Sequence, residues 1–416
     1  MARANRKVAG MSDPDALLER AREHCFLAGV GDVGEQLCAA NMPYGIAKIH
    51  EAQRQLGHPA DATFVGAPDA TVTRNVKRWT QGFGYGGRIR WSGDFAVLDI
   101  KSNGCGMLVG TLPEVPEREE LMERARTLVE DGLEVEGIPI EYDLDHGNHF
   151  LDVCETTSSE EEDAPPAYFV MHSSGHEHRD SSPFGCGIYY DADESLAARA
   201  RIIETPWGTL SVLEGDDARW WYDVYMRVQR WNHARRAAIA DALFDGWGEV
   251  INATHQGLTE MNAAHLGCYV FEDEELTDEL VFPLTISADL PVYLVKPRAN
   301  LSEDIAERAG FLERAEKHGV KDRVLGANLL PHGGGYRYPH FAEVEGVVEG
   351  GPDERRFRIR RTDGEVDELE HPRGQPYVYR GDEVLERMRA LELGEPVVET
   401  SVRYVLRDKP MPGDRK

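Results

Sequence analysis

The sequence predicts an α+β fold. Amphipathic stretches at helical spacing, such as 13–26 and 215–246, stand beside short apolar runs of strand character, such as 95–100 and 168–171. With 416 residues, 41% of them hydrophobic, the chain has material for one large core or two to three smaller ones. No internal repeat breaks it into equivalent units.

The elements follow in order. Leu17, Leu18, Ala21 and Cys25 recur at helical spacing behind a Ser12/Asp13 cap, predicting a helix over 13–26. Residues 34–56 are also helix-rich, with a predicted break at Asn41-Met42-Pro43. Glycine dominates 82–93, which reads as a loop. A strand over 95–100 runs towards Gly104-Cys105-Gly106, a turn where backbone can approach a ligand closely. A charged helix at 117–132 ends at Gly132, and strand-like 135–142 leads to Asp145-His146-Gly147-Asn148-His149-Phe150-Leu151-Asp152. That stretch packs two imidazoles, an amide and two carboxylates into eight residues.

The acidic run 156–166 reads as a solvated loop, because its composition cannot pack a core. A buried strand at 168–171 presents His172, with His176 and His178 just beyond. The aromatic stripe of the helix at 215–246 reads as core packing. Residues 249–261 carry His255, two strands flank 288–291, and an amphipathic helix covers 302–319. The chain then reaches His332-Gly333-Gly334-Gly335. Past 340 a hairpin-like region (343–367), a helix (382–393) and a strand (399–406) form a C-terminal segment. The expected organisation is a catalytic domain over 1–340 with 341–416 packed on it.

Composition narrows the function. A net charge of −28 argues against an unassisted nucleic-acid binder. The basic residues are nine lysines and 37 arginines, so RNA contact stays open where arginines share a face. Six cysteines without paired spacing fit reduced cytoplasmic thiols, and no run nears the ~18 apolar residues of a membrane helix. The basic 1–7 segment precedes no apolar run, so no secretory signal is expected. Nothing implies an obligate protein partner.

The residues with metal chemistry are Cys105, His149, His172 and His255. A thiolate with three imidazoles suits Mn²⁺ or Zn²⁺, and divalent cations serve phosphoryl transfer by neutralising phosphate charge. His332, followed by glycines whose N–H groups are free to cradle phosphates, suits a nucleophile at phosphorus. A Cys-His-Asn hydrolase would use the same residue types. His24, His50, His58, His318 and His371 read as ordinary core or surface residues, and His146, His176 and His178 as groups outside the ligand shell.

In motif order the chain resembles the RtcB RNA ligases, from about Gly82 to Tyr338. Asn103-Gly104-Cys105-Gly106-Met107 is similar to the family's cysteine turn, and Gly147-Asn148-His149-Phe150-Leu151-Asp152 to its Gly-Asn-His-Phe-Leu-Glu motif. Met171-His172-Ser173-Ser174-Gly175, Trp231-Asn232-His233-Ala234-Arg235-Arg236, Ala253-Thr254-His255-Gln256 and His332-Gly333-Gly334-Gly335 resemble the later motifs. The resemblance implies one large α+β domain with layered sheets and surrounding helices about a metal-containing cleft. It implies Mn²⁺ (Zn²⁺ being the other candidate) on Cys105, His149, His172 and His255. It also implies GTP as cosubstrate, with His332 guanylylated and Asn148, Asp152, Gln256, Gly333 and Gly335 on the nucleotide side. The activity implied is joining RNA 3′-phosphate or 2′,3′-cyclic phosphate ends to 5′-hydroxyl ends. A divergent metal-dependent RNA-end phosphoesterase, or a non-catalytic metal-binding paralogue, is the alternative.

The departures are specific. The family's metal-binding aspartate is Ser102 here, with Asp99 nearby as a substitute only if the strand end bulges. The guanosine segments appear as His265-Leu266-Gly267-Cys268 and Ile286-Ser287-Ala288-Asp289-Leu290-Pro291. Tyr336 stands for an arginine, and Tyr404 to Lys409 for the C-terminal Gly-x-x-Lys-Gly. The expected metal core is retained and the nucleotide pocket altered.

Overall fold

The computed structural model describes residues 13–144, 148–160 and 163–406. Asp145, His146 and Gly147 of the predicted polar cluster, and Arg407 to Lys409, lie outside them. The fold mixes helices with several sheets, as the α+β expectation required. The helices used below are α1 (Pro14–Glu23), α2 (Val33–Leu56), α3 (Val76–Thr80), α4 (Arg118–Asp131), α5 (Glu194–Ala197) and α6 (Gly215–Leu243).

Two sheets position the site. A seven-stranded sheet has the order Gly248–Thr254, Gly106–Leu112, Ala167–Ser173, Phe150–Ser159, Gly394–Leu406, Val292–Pro297, Phe282–Thr285, all pairs antiparallel. The C-terminal strand therefore lies inside this sheet, hydrogen-bonded on both edges. A five-stranded sheet contains Thr63–Thr71 and Tyr85–Arg90, with α2 packed against it. Both faces of Ala167–Ser173 are buried, so the strand reads as a continuous apolar run up to His172.

Several sequence expectations need correction. α2 runs unbroken through Pro43. Proline removes one N–H from the helical ladder, but nearly every residue from Val33 to Gln53 is buried, and that packing holds the helix together. The glycine-dense loop is largely the strand Tyr85–Arg90. Its glycines serve close approach: a Cβ at Gly86 would lie 2.4 Å from Ala70 Cα, and one at Gly87 2.4 Å from the Phe64 ring. Part of the acidic run belongs to the strand Phe150–Ser159. The stretch 302–319 splits into helices Glu303–Arg308 and Leu312–His318, divided at Gly310 with φ +72°. The helix predicted over 13–26 gives way at its end to the short strand Cys25–Phe26. The strand predicted over 95–100 ends as a 3₁₀ turn, Leu98–Ile100. That predicted over 135–142 is two two-residue strands, Glu134–Val135 and Ile138–Pro139.

Among the described residues no helix is long and apolar enough to cross a membrane. All six cysteines are buried free thiols.

Candidate metal and phosphoryl-transfer site

Sheet register gathers the candidate ligands at one end of four adjacent strands. Gly106 pairs with Thr254 on one side and Ser173 on the other, and Phe150 pairs with His172. Cys105, His255, His172 and His149 therefore occupy one row, each at or next to a strand end. The backbone N–H of His255 donates to the Cys105 carbonyl at 3.0 Å, fixing two of them together.

Cys105 Sγ lies 3.7 Å from His149 Nε2. Metal bonds of about 2.0 Å to nitrogen and 2.3 Å to sulfur at a tetrahedral angle set an N···S edge of about 3.5 Å. Donor atoms of Cys105, His149 and His172 all fall within 4.8 Å of one another, so these three form a buried group able to hold a metal ion. His172 Nδ1 lies 3.0 Å from the Asn148 carbonyl. Donation there leaves the lone pair on Nε2, which is buried and meets no partner among the described residues. Both ring nitrogens of His255 are likewise buried and unmatched. Orphaned acceptors this deep need a compensating group, and a cation supplies one.

Asp143 stands behind the cluster, 2.8 Å from His149 Nδ1 as a close ion pair. It also accepts from Arg235 Nη2 at 3.1 Å and from the Ser174 N–H at 3.2 Å. Asp143, His149 and His176 form a second group with metal-ligand spacing. The Arg235 guanidinium beside Asp143 opposes a cation there, so Asp143 acts as the carboxylate that orients the His149 ring.

The electrostatics follow from these contacts. Burial alone would lower His149, but Asp143 and then Cys105 reverse that and push it up to about 10. Burial would raise Asp143, yet His149 and Arg235 hold it well below the usual carboxylate range. Burial would likewise raise the Cys105 thiol, and His149 brings it below its ordinary value. His172 and His255 are held as neutral rings, chiefly by burial and then by neighbouring imidazoles. A thiolate and neutral imidazoles are the ligand-competent forms, so Cys105, His172 and His255 are ready to bind, whereas His149 must release a proton to do so.

His332 follows the strand Leu329–Pro331, whose end meets the outermost strand of the seven-stranded sheet through a Thr285–Gly333 bridge. Its ring stacks on His255 at 4.5 Å. Asp69, from the five-stranded sheet, places Oδ2 2.8 Å from His332 Nδ1, and the same oxygen accepts from the backbone N–H groups of His332 and Gly333. Donation from Nδ1 to Asp69 leaves the lone pair on Nε2, the form a nucleophile needs. His332, Asn148, Asp152, Gly333 and Gly335 line a cleft of about 90 Å³, none of whose described lining residues is a lysine or arginine.

A larger cavity of about 410 Å³ opens on the Cys105 side, and Asn148 reaches both. Its wall carries Arg74, Arg78 and Arg179 with Gln256, and no carboxylate among the described lining residues. Among the described residues none of these arginines forms an ion pair. Arg78 is held by the Ile100 and Lys101 carbonyls and the Thr73 hydroxyl, and Arg74 by the Tyr377 hydroxyl, so the described wall is positive in a chain of net charge −28.

Ser102 turns away from the site, its hydroxyl 3.5 Å from the Gly257 carbonyl. Asp99 does not replace it, since its carboxylate accepts from Tyr190 and from the Ser211 N–H at 2.7 and 2.6 Å. His178 sits against Trp231 and Phe184 and reaches Ser182, away from the ligand row. Asp69 and Asp143 carry no local sequence signal, because each meets its partner across distant segments, whereas Arg235 lies in the helix motif Trp231 to Arg236. No family model matches the chain, and no curated protein matches it.

Proposed function

We propose that the chain is an RtcB-like RNA ligase working in the cytoplasm, its catalytic unit being 1–340 together with the strand Gly394–Leu406, which completes the central sheet. The observation that carries the reading is His332, oriented by Asp69 and stacked on a row of buried cysteine and histidine ligands, between a small cleft and an arginine-lined cavity. Cys105, His149, His172 and His255 would hold Mn²⁺, or Zn²⁺ as the softer-ligand alternative. A bound cation would supply charge neutralisation at phosphorus.

On this reading His332 Nε2 attacks the α-phosphorus of GTP, forming a phosphoramidate as pyrophosphate leaves. The RNA 3′-phosphate then takes GMP from His332. The incoming 5′-hydroxyl attacks that activated phosphate, releasing GMP and sealing the strand. Arg74 and Arg179 bind the RNA phosphates, and Asn148 and Asp152 orient the nucleotide.

A second reading is a metal-dependent RNA-end phosphoesterase, which needs no nucleotide beside His332. The absence of lysine and arginine among the described lining residues of the cleft, and the turned-away Ser102, favour it. RNA with 3′-phosphate and 5′-hydroxyl ends, incubated with Mn²⁺ and GTP, separates the two. Joined product lost in His332→Ala supports ligation. Phosphate release without joining, unchanged in His332→Ala, selects the esterase and rejects the ligase.

A further inference from the structure

We infer that the cavity between α2, α3 and the hairpin strand Glu354–Arg361 is a binding site for a small zwitterion of the α-amino-acid class. The cavity measures about 500 Å³, a size that admits a small molecule. Asn41, Trp79, Thr80, Glu354, Arg355 and Glu370 contribute to its wall, as do Asp353 and Arg356, the latter paired with Glu368 at 3.6 Å. It is distinct from the site above: α3 separates them, with Arg78 on the basic cavity and Trp79 and Thr80 on this one.

Two buried side chains here lack partners. Arg355 is 6% exposed, donates Nη2 to the Thr80 carbonyl and lies 4.5 Å over the Tyr44 ring. Its Nε and Nη1 meet no acceptor, and no carboxylate among the described residues pairs with it. The nearby acids are committed, Asp353 to Lys48 at 2.7 Å and Glu349 to the Tyr44 hydroxyl at 2.7 Å. Asn41 is fully buried, and its Nδ2 donates to the Trp79 carbonyl at 2.9 Å. That bond fixes the amide so that Oδ1 is an acceptor, and it meets no donor. A buried guanidinium and a buried amide oxygen are both costly to leave unmatched.

The missing pieces are an anion for Arg355 and a donor for Asn41. The exposed carboxylates Glu354 and Glu370 add a second demand for positive charge at the rim and disfavour a bare anion. A carboxylate and an ammonium on one small molecule meet both. The inference uses nothing from the ligase reading and stands or falls apart from it.

Calorimetry on the full chain with each of the common L-α-amino acids tests it, each run beside its des-amino carboxylate and its decarboxylated amine. At least one amino acid should bind, with both truncated analogues at least about tenfold weaker. Arg355→Gln should abolish that binding, and Glu354→Gln with Glu370→Gln, at exposed positions, should weaken it about tenfold. Absence of binding by every amino acid overturns the inference. So does an equally tight des-amino acid, or wild-type affinity in folded Arg355→Gln. If Arg355→Gln does not fold, unchanged affinity in the Glu354→Gln, Glu370→Gln double variant overturns it instead.

Discussion

Asp69 Oδ2 and His332 Nδ1 lie 2.8 Å apart, although 263 residues separate them in sequence. The carboxylate is fully buried and also takes the N–H groups of His332 and Gly333, so ring and loop share one anchor. Asp69→Asn keeps the shape but no longer demands a proton on Nδ1, letting the ring adopt the tautomer that blocks Nε2. The rate of covalent nucleotide transfer to the protein should fall by about 10²–10⁴-fold with metal content unchanged. Single-turnover kinetics alongside metal analysis checks this, and an unaltered rate removes Asp69 from the mechanism.

Asp143 should matter to the metal without touching it. Asp143→Asn is expected to weaken Mn²⁺ binding by about 10–100-fold, measured by competition with a chelating dye. Cys105→Ala should weaken it more, because it removes a ligand rather than the group that orients one. Equal affinity in Asp143→Asn and wild type would show that the His149 ring holds its place unaided.

The glycine after the nucleophile loop has a conformational reason to be there. Gly335 has φ +66°, and a Cβ on it would lie 2.5 Å from the Asp69 carbonyl oxygen and 2.6 Å from Arg380 Nη1. Gly335→Ala should cost at least about 2 kcal/mol, from left-handed strain together with the clash, and displace His332. Urea denaturation gives the loss directly, and a change under 0.5 kcal/mol, roughly the scale of a neutral surface substitution, contradicts it.

Acid should unfold the protein through histidines remote from the site. His24 and His50 are buried with their rings 4.7 Å apart. Burial, then the nearby His50 and His318 imidazoles and the Arg20 guanidinium, holds His24 at about 2, and burial holds His50 at about 4. Both stay neutral in the folded chain, whereas in the unfolded chain they take up protons below about pH 6.5. The unfolded state thus binds more protons, and stability falls as pH drops below about 6.5. His50 alone accounts for roughly 2 kcal/mol at pH 5. Urea midpoints at pH 7.5 and 5.0 measure the drop, and His50→Gln should reduce it.

What could be read beforehand was what lay within one segment. The turn at Cys105, the run Asn148-His149, and His332 with its glycines are each local, and each lies at the site. Asp69 and Asp143 were not legible, because their roles come from sheet order and register that bring separate segments together. The glycines of 82–93 misled for a related reason. Glycine usually marks a loop, but here it lets a strand press against Ala70 and Phe64, a neighbour relation invisible along the chain. Pro43 failed in the same way, since burial of α2 outweighs one lost hydrogen bond.

The central claim is that His332 is a nucleophile at phosphorus beside a metal. Incubation of the purified protein with α-labelled GTP and Mn²⁺, followed by denaturing electrophoresis, tests it most directly. An acid-labile label should appear on the peptide containing His332, absent in His332→Ala and reduced in Asp69→Asn. A folded, metal-loaded wild-type protein that takes no label from any nucleotide, or a label that persists in His332→Ala, would contradict it.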